Sequence, residues 1–295
     1  MIAPPLVDVL VTLHGQGEEY IRAAAVLYAS MRSHAEARLR FTVVHDDTVP
    51  AAPLATLTHF IGERDLVRAV AVDGFPAIAA ICRECADARY SPAVLWRVFV
   101  TDLVPDADRV VMLDADLVFL CDVERLWRVD LAGKALAAVL RGKPWSDQYH
   151  ALLETPPDRY FRIGMTVLNL AHLRRDIRFQ TTRESFLRTT LPRANELVCL
   201  PEQSVFNYYF NRDVVPLATT LVPAGHFDPA DGAAVQRWLG AMDVGADVVL
   251  DLKGWQHRTP FDYFYWTYLL MTPWRGEAYA ALARHQAVAN ADEAR

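Results

Sequence analysis

The sequence predicts an α/β fold. Two observations carry this: apolar runs of strand length alternate with segments of helical periodicity, and Arg109-Val110-Val111-Met112-Leu113 runs into Asp114 and Asp116 as a strand covered on both faces does. With 295 residues, 53% of them hydrophobic, the chain can form one large domain or a domain with an appendage.

Leu6 to Leu13 reads as a buried first strand, and His14-Gly15-Gln16-Gly17 as the loop at its carboxyl end, where open α/β sheets bind ligands. Ile21, Ala24, Val26, Leu27 and Met31 carry helical periodicity from Tyr20 to His34, and Leu39 to His45 returns to strand, ending in Asp46-Asp47. A helix over Ala52 to Ile61 and a strand over Val67 to Val72 follow, broken by Gly74-Phe75-Pro76. Ala77 to Ala88 reads as helix, and Ser91-Pro92 opens another through Leu103.

After the Asp114 strand, a short helix is expected at Val123 to Trp127 and a strand at Ala135 to Leu140. Pro144 to Arg159, polar and carrying Pro156-Pro157, reads as a substrate-facing loop. Ile163 to Leu170 reads as strand, Leu173 to Thr189 as helix, Pro201 to Phe210 as helix, and Val248 to Leu250 as a last strand ending in Asp251. An aromatic-rich tail follows Pro260, with a helix at Glu277 to Val288; its aromatics are expected to cover the core.

The formal net charge of −6 argues against a phosphate-backbone binder, so no nucleic-acid partner is expected. No apolar run approaches the roughly 18 residues that span a bilayer, and Met1-Ile2-Ala3-Pro4-Pro5 precedes no signal-like core, so the expected location is cytoplasmic. Cys82, Cys85, Cys121 and Cys199 are too few and scattered for a disulfide framework, and the Cys82/Cys85 pair lacks the partners of a zinc site.

Asp114 and Asp116 sit two apart at a strand end. In extended backbone both carboxylates would point to one spot, and two anions held together need a cation, for which a hard divalent ion is the simplest candidate. Preceded by Tyr90-Ser91-x5-Arg97-x5-Leu103-x-Pro105 and followed by Leu126-Trp127, this stretch resembles the retaining family 8 glycosyltransferases, which include bacterial lipopolysaccharide galactosyl- and glucosyltransferases and glycogenin. The resemblance extends from about Leu6 to Phe261.

It implies a GT-A fold, Rossmann-like, with a mixed central sheet flanked by helices; residues 1–260 would form the nucleotide-sugar-binding and catalytic domain, and 261–295 a helical extension packed on it. It also implies a metal-dependent, retaining transfer from a nucleotide-sugar, a UDP-sugar, to a glycan, glycolipid or other hydroxyl acceptor. Asp114 and Asp116 then bind Mn²⁺ or Mg²⁺ at the donor diphosphate, with Asp114 also near the ribose; Arg97 lies beside the donor and Tyr20 stacks on the base.

The Tyr160-Phe161-Arg162-Ile163-Gly164 segment matches one in which the family carries asparagine to hold the donor sugar. Arg162 there would suit a sugar bearing a carboxylate, and Gly164 permits close backbone approach. Leu200-Pro201-Glu202-Gln203-Ser204-x2-Asn207 matches the element lining the sugar face opposite the leaving group: Gln203 is the best-placed group, Glu202 a nucleophile or a hydroxyl-orienting residue, and Ser204 replaces an aspartate that reads sugar hydroxyls.

Asp251 stands where the family has its third ligand, a histidine, followed by Lys253-Gly254 and then His257-Arg258 as phosphate contacts. Alternatively His257 is the ligand and Arg258 or Lys253 meets the phosphates. The same Asp-x-Asp also resembles the first motif of haloacid-dehalogenase-like phosphatases, with Asp114 as nucleophile, and a third reading is a non-catalytic nucleotide-sugar-binding relative.

Overall fold

The computed structural model describes residues 5–15, 17–141, 145–217, 220–223, 248–251 and 262–279. In chain order these form β1 (Leu6–Leu13), α1 (Glu19–His34), β2 (Arg38–His45), α2 (Ala51–Gly62), β3 (Leu66–Ala71), α3 (Pro76–Cys85), α4 (Ala93–Trp96) and α5 (Val100–Leu103). Then come β4 (Arg109–Leu113), β5 (Leu117–Phe119), α6 (Glu124–Trp127), β6 (Leu136–Leu140), α7 (Asp147–Leu152), β7 (Phe161–Asn169) and α8 (Leu170–Arg175). The remainder are α9 (Ile177–Thr189), α10 (Leu191–Leu197), α11 (Pro201–Phe210), β8 (Val214–Pro216), β9 (Thr220–Pro223), β10 (Val248–Asp251) and α12 (Asp262–Leu269).

Seven strands form one sheet in the order β3-β2-β1-β4-β7-β6-β8. It is mixed: β3, β2, β1 and β4 run parallel, whereas β7 is antiparallel to both β4 and β6. Alternate residues of β4 enter opposite cores. Val110 and Met112 join the cluster under α4, α9, α10 and α11, while Val111 and Leu113 join the one under α1 and α2. Burial on both faces is why the strand reads as an unbroken apolar run.

β5 leaves this sheet and joins a smaller one, ordered β5-β10-β9, with β10 antiparallel to β5. The Ser30 hydroxyl on α1 accepts a hydrogen bond from the Phe119 amide at 3.0 Å, tying the small sheet to the first helix. Tyr265, Tyr268 and Leu269 pack with Val26, Ala29, Val118 and Leu250, so the described tail aromatics cover core. The expected helix over Glu277 to Val288 is described only as far as its start, at 275–279.

Three expectations need correction. The Pro144 to Arg159 stretch is not a loop: its described part, 145–159, contains α7, and Tyr149 and His150 are buried. Its polar groups serve the segment itself, with His150 Nε2 accepting from the Trp145 amide at 3.0 Å and Nδ1 lying 3.0 Å from the Thr155 carbonyl. The helix opened by Ser91, whose hydroxyl accepts from the Ala93 amide, does not run unbroken to Leu103; it tightens into a 3₁₀ turn at Arg97–Phe99. The helix expected over Leu173 to Thr189 is two, because the Asp176 carboxylate caps α9 by accepting from the Phe179 amide at 2.8 Å.

Sequence periodicity also passed over two elements. α10 begins with Pro192 in its first turn, a position that starts helices as readily as it ends them, and β8 is only three residues long. The phosphatase reading also loses its topological basis: Asp114 follows the fourth strand, in the middle of the sheet, rather than the first.

Candidate active site

Because β1 and β4 are parallel neighbours, their carboxyl ends open at the same sheet edge. There the chain forms a cavity of about 340 Å³. Thr12 and His14 come from the end of β1, Asp114, Ala115 and Asp116 from the end of β4, and Ile163 and Gly164 from β7; Glu202 and Gln203 come from the first turn of α11. Tyr20 on α1, Arg97, and Arg89, Tyr90 and Ser91 of the segment before α4 complete the wall. Tyr20, Arg97, Asp114, Asp116, Gly164, Glu202 and Gln203 are all candidates on sequence grounds, and the fold brings all seven together.

The two aspartates converge, though not through extended backbone. β4 ends at Leu113, and Ala115-Asp116 form a turn that carries the chain out of the large sheet toward β5. The last bond to β7 is the Asp114 amide donating to the Gly164 carbonyl at 2.7 Å. A Cβ at Gly164 would stand 2.8 Å from Asp114 Cγ, so only glycine leaves room for this carboxylate.

Arg97 is the electrostatic centre of the wall. Its Nη1 lies 2.6 Å from Asp114 Oδ1 and 3.7 Å from Glu202 Oε1, its Nη2 donates to the Leu113 carbonyl at 3.4 Å, and the residue is 5% exposed. Burial opposes its charge, but the Asp114, Glu202 and Asp116 carboxylates outweigh burial and hold its pKa above the ordinary arginine value.

Gln203 is held on both sides of its amide: Oε1 accepts from the Ile163 amide at 3.3 Å and Nε2 donates to Tyr160 Oη at 2.8 Å. One turn on, Asn207 accepts from the Phe161 amide at 3.0 Å and donates to the Phe161 carbonyl at 2.9 Å, so α11 is clamped along the start of β7. Ser204, expected to alter which sugar hydroxyls are read, is fully buried behind the wall with its hydroxyl on Tyr149 and the Leu200 carbonyl. Its side chain is not part of the cavity lining.

His14, Asp46 and Thr48 form a cluster that sequence reasoning missed as chemistry. His14 Nδ1 lies 2.7 Å from Asp46 Oδ2, Thr48 Oγ1 donates to Asp46 Oδ1 at 2.5 Å, and the ring packs edge-on to Trp96. With Nδ1 engaged by the Asp46 carboxylate, Nε2 is the ring nitrogen left to hydrogen-bond a ligand. The available signal was that the loop after β1 and the Asp46-Asp47 strand end must adjoin when β1 and β2 pair in parallel.

Arg162 does not line the cavity. It lies near Arg141, whose charge is disfavoured first by burial and then by Arg162. Lys253, Gly254, His257 and Arg258 lie outside the described residues. Asp251 lies in β10 with its backbone directly opposite Leu117, the residue after Asp116; its side chain is not among those described.

This donor set suits a hard divalent ion: two aspartates two residues apart line the cavity, and the strand register sets Asp251, a further acidic position, beside the second. Among the described residues alone, no group of three or more His, Cys, Asp or Glu side chains converges. The cysteines form no disulfide among the described residues, and burial pushes the Cys82 thiol up to about 12. No described helix is long and apolar enough to cross a membrane.

Residues 12–221 match the family described as Glycosyl transferase family 8. Two Arabidopsis thaliana proteins are similar: "Probable galacturonosyltransferase-like 4" is 29% identical over 116 residues, and "Probable galacturonosyltransferase-like 3" is 32% identical over 134 residues. These alignments cover 35% and 41% of this chain but only 33% and 38% of those proteins. The solved structure of the galactosyltransferase LgtC in complex with donor and acceptor sugar analogs superposes with a TM-score of 0.69 at 18% identity, covering 92% of this chain and 99% of that one. That likeness shows the GT-A fold.

Proposed function

This chain belongs to glycosyl transferase family 8, and from that premise we propose that it moves a sugar from a UDP-sugar to a hydroxyl of a glycan or glycolipid acceptor with retention of configuration. The observation that carries this reading is the meeting of Asp114, Asp116, Arg97, Glu202 and Gln203 in one cavity at the carboxyl edge of the sheet. Acidic and basic groups share one wall there, as the binding of a metal and a diphosphate together requires.

Asp114, Asp116 and Asp251, with His257 as the alternative third ligand, would hold Mn²⁺ or Mg²⁺. The ion would supply charge stabilisation as the nucleoside diphosphate leaves. Arg97 would contribute fixed positive charge beside the donor, Lys253, His257 and Arg258 with the Gly254 backbone would be its phosphate contacts, and Tyr20 offers an exposed ring for the base. Glu202 and Gln203 line the sugar's other face, as nucleophile, hydroxyl-orienting residue or amide dipole. Residues 1–260 carry this chemistry and 261–295 form the extension. Arg162, which does not line the cavity, would meet the donor only through a carboxylate on its sugar.

The test pairs binding with turnover. With Mn²⁺ present, UDP at about 100 times its Kd should stabilise the fold by about 2.7 kcal/mol, and one sugar nucleotide of a panel should be slowly hydrolysed in a metal-dependent way. Asp116→Ala should abolish both responses. Undiminished hydrolysis in that variant sinks the metal assignment, and binding without turnover across donors and acceptors favours the non-catalytic reading.

A further inference from the structure

Behind Gln203 runs a chain of hydrogen bonds with a single possible direction. Gln203 Nε2 donates to Tyr160 Oη at 2.8 Å, Tyr160 Oη lies 3.1 Å from Tyr149 Oη, and Tyr149 Oη lies 2.7 Å from Ser204 Oγ. Ser204 Oγ donates to the Leu200 carbonyl at 2.8 Å. Tyr160, Tyr149 and Ser204 are all fully buried, so water neither completes nor interrupts the links between their hydroxyls.

A hydroxyl has one hydrogen to give. Ser204 gives its hydrogen to a carbonyl, so it must accept from Tyr149. Tyr149, its hydrogen used, must accept from Tyr160, and Tyr160 can then only accept from Gln203. An amide oxygen cannot fill that place, whereas an amide nitrogen can. The Ile163 amide, a donor, faces the other amide atom and demands the oxygen there. Two independent constraints from opposite sides therefore impose one orientation on the Gln203 amide. One N–H and one lone pair remain for the cavity that Gln203 lines. Burial also raises the titration of both tyrosine hydroxyls, so they stay protonated donors at neutral pH.

We propose that Tyr160, backed by Tyr149 and Ser204, is a positioning residue that locks the Gln203 amide so that its remaining N–H and carbonyl lone pair meet the donor sugar in a fixed order. Flipping the amide would exchange a donor for an acceptor against the sugar. It would also leave a buried Ile163 N–H facing an NH₂ group and the Tyr160 oxygen facing a carbonyl. Ser204 belongs to this scaffold and not to the sugar-binding surface. The inference rests on the transferase reading above.

Tyr160→Phe removes only the hydroxyl. It should lower kcat for sugar transfer by about 10- to 100-fold while leaving the donor KM within about twofold, the signature of a misaligned group and not of lost ground-state binding. The loss should vanish in a Gln203→Ala background, because the chain then positions nothing. In the intact protein the Gln203 side-chain NH₂ signal should exchange slowly with solvent, and Tyr160→Phe should speed it.

Equal losses in the wild-type and Gln203→Ala backgrounds, or full activity with an unchanged NH₂ signal in Tyr160→Phe, overturn the proposal. Should Tyr160→Phe not fold, Tyr149→Phe cuts the chain one link further away and should show a smaller loss with the same background dependence. A wild-type protein that neither binds UDP nor transfers sugar overturns the transferase reading itself, whereas a transferase indifferent to both tyrosines overturns only this inference.

Discussion

Arg97 Nη1 stands 2.6 Å from Asp114 Oδ1, and the same nitrogen reaches to 3.7 Å from Glu202 Oε1, so one buried guanidinium joins the wall built by β4 to the wall built by α11. Truncating it would leave Asp114 and Glu202 facing each other, with Asp116 nearby, without this cation between them. Arg97→Met should therefore destabilise the fold by about 3–5 kcal/mol, read as a lower urea midpoint. Arg97→Lys keeps charge but loses the planar fork, and should fall between the wild type and Arg97→Met. Divalent metal should narrow the Arg97→Met deficit.

Gly164 and Asp114 make a second pair whose fit is steric. Gly164→Ala puts a methyl 2.8 Å from Asp114 Cγ, inside contact distance, so the carboxylate must turn away or the strands must part. The expected cost is about 1–3 kcal/mol in stability. Mn²⁺ binding, followed by electron paramagnetic resonance of the free ion, should weaken as well. Unchanged metal affinity in a folded variant would show that Asp114 does not need this orientation to hold the ion.

Much of the fold was legible because strands covered on both faces leave unbroken apolar runs, as at β1 and β4, and because their polar exits, Asp114 and Asp116, interrupt that pattern visibly. The segment 145–159 misled because its polar atoms bond to one another inside the structure, as His150 does with Trp145 and Thr155, and polarity alone does not reveal that. The Ser204 hydroxyl is likewise engaged inside the structure, by Tyr149 and the Leu200 carbonyl. The His14–Asp46 pair joins residues 32 apart and becomes visible only once parallel pairing is known. Arg162 does not line the cavity whereas its strand neighbour Ile163 does, and sequence alone does not tell which of the two faces it.

His14 supplies a prediction about the nucleotide. Asp46 engages Nδ1, so Nε2 is the ring nitrogen left to hydrogen-bond a ligand in the cavity. His14→Phe keeps a ring against Trp96 but removes this nitrogen, and should weaken UDP binding up to about tenfold in a calorimetric titration, the worth of one hydrogen bond. Asp46→Asn should act in the same direction by weakening the hold on Nδ1. If UDP binds His14→Phe as it binds the wild type, the ring only packs.

Cys82 predicts a pH dependence. Burial raises its thiol from 9.0 to about 12 in the folded state, while the unfolded thiol ionises near 9. Below pH 9 both states hold the proton and stability is unaffected. Between pH 9 and about 12 the unfolded state loses its proton first, so the native state is disfavoured by up to about 1.4 kcal/mol per pH unit. Tyrosines and other thiols titrate in the same range, so the informative quantity is the difference between wild type and Cys82→Ala. The alanine variant should start less stable at pH 8 because a buried group is lost, and the gap should narrow as pH rises to 11. A gap constant with pH would mean that Cys82 ionises freely in the folded protein.

Strand register bears on the third metal ligand. In the antiparallel β5–β10 ladder Asp251 faces Leu117, and paired residues in such a ladder have Cα atoms about 5 Å apart. Asp116 immediately precedes Leu117, so the backbone at 251 is held beside the acidic turn by hydrogen bonds that do not depend on the side chain at 251. Asp251→Asn, which keeps size and strand pairing but removes the charge, should weaken Mn²⁺ binding by about tenfold or more, because affinity for hard cations follows the number of charged oxygen ligands. His257→Ala should leave that affinity unchanged, and the Mn²⁺ hyperfine spectrum of the wild type should lack nitrogen couplings. The opposite pattern, with weakened binding in His257→Ala and nitrogen coupling in the wild type, would give the ligand role to His257. Mn²⁺ lies on the hard side of the transition metals, and an all-oxygen site should also accept Mg²⁺ with little loss, whereas an imidazole ligand should favour Mn²⁺. The ratio of the two affinities therefore reports the ligand's identity without mutation.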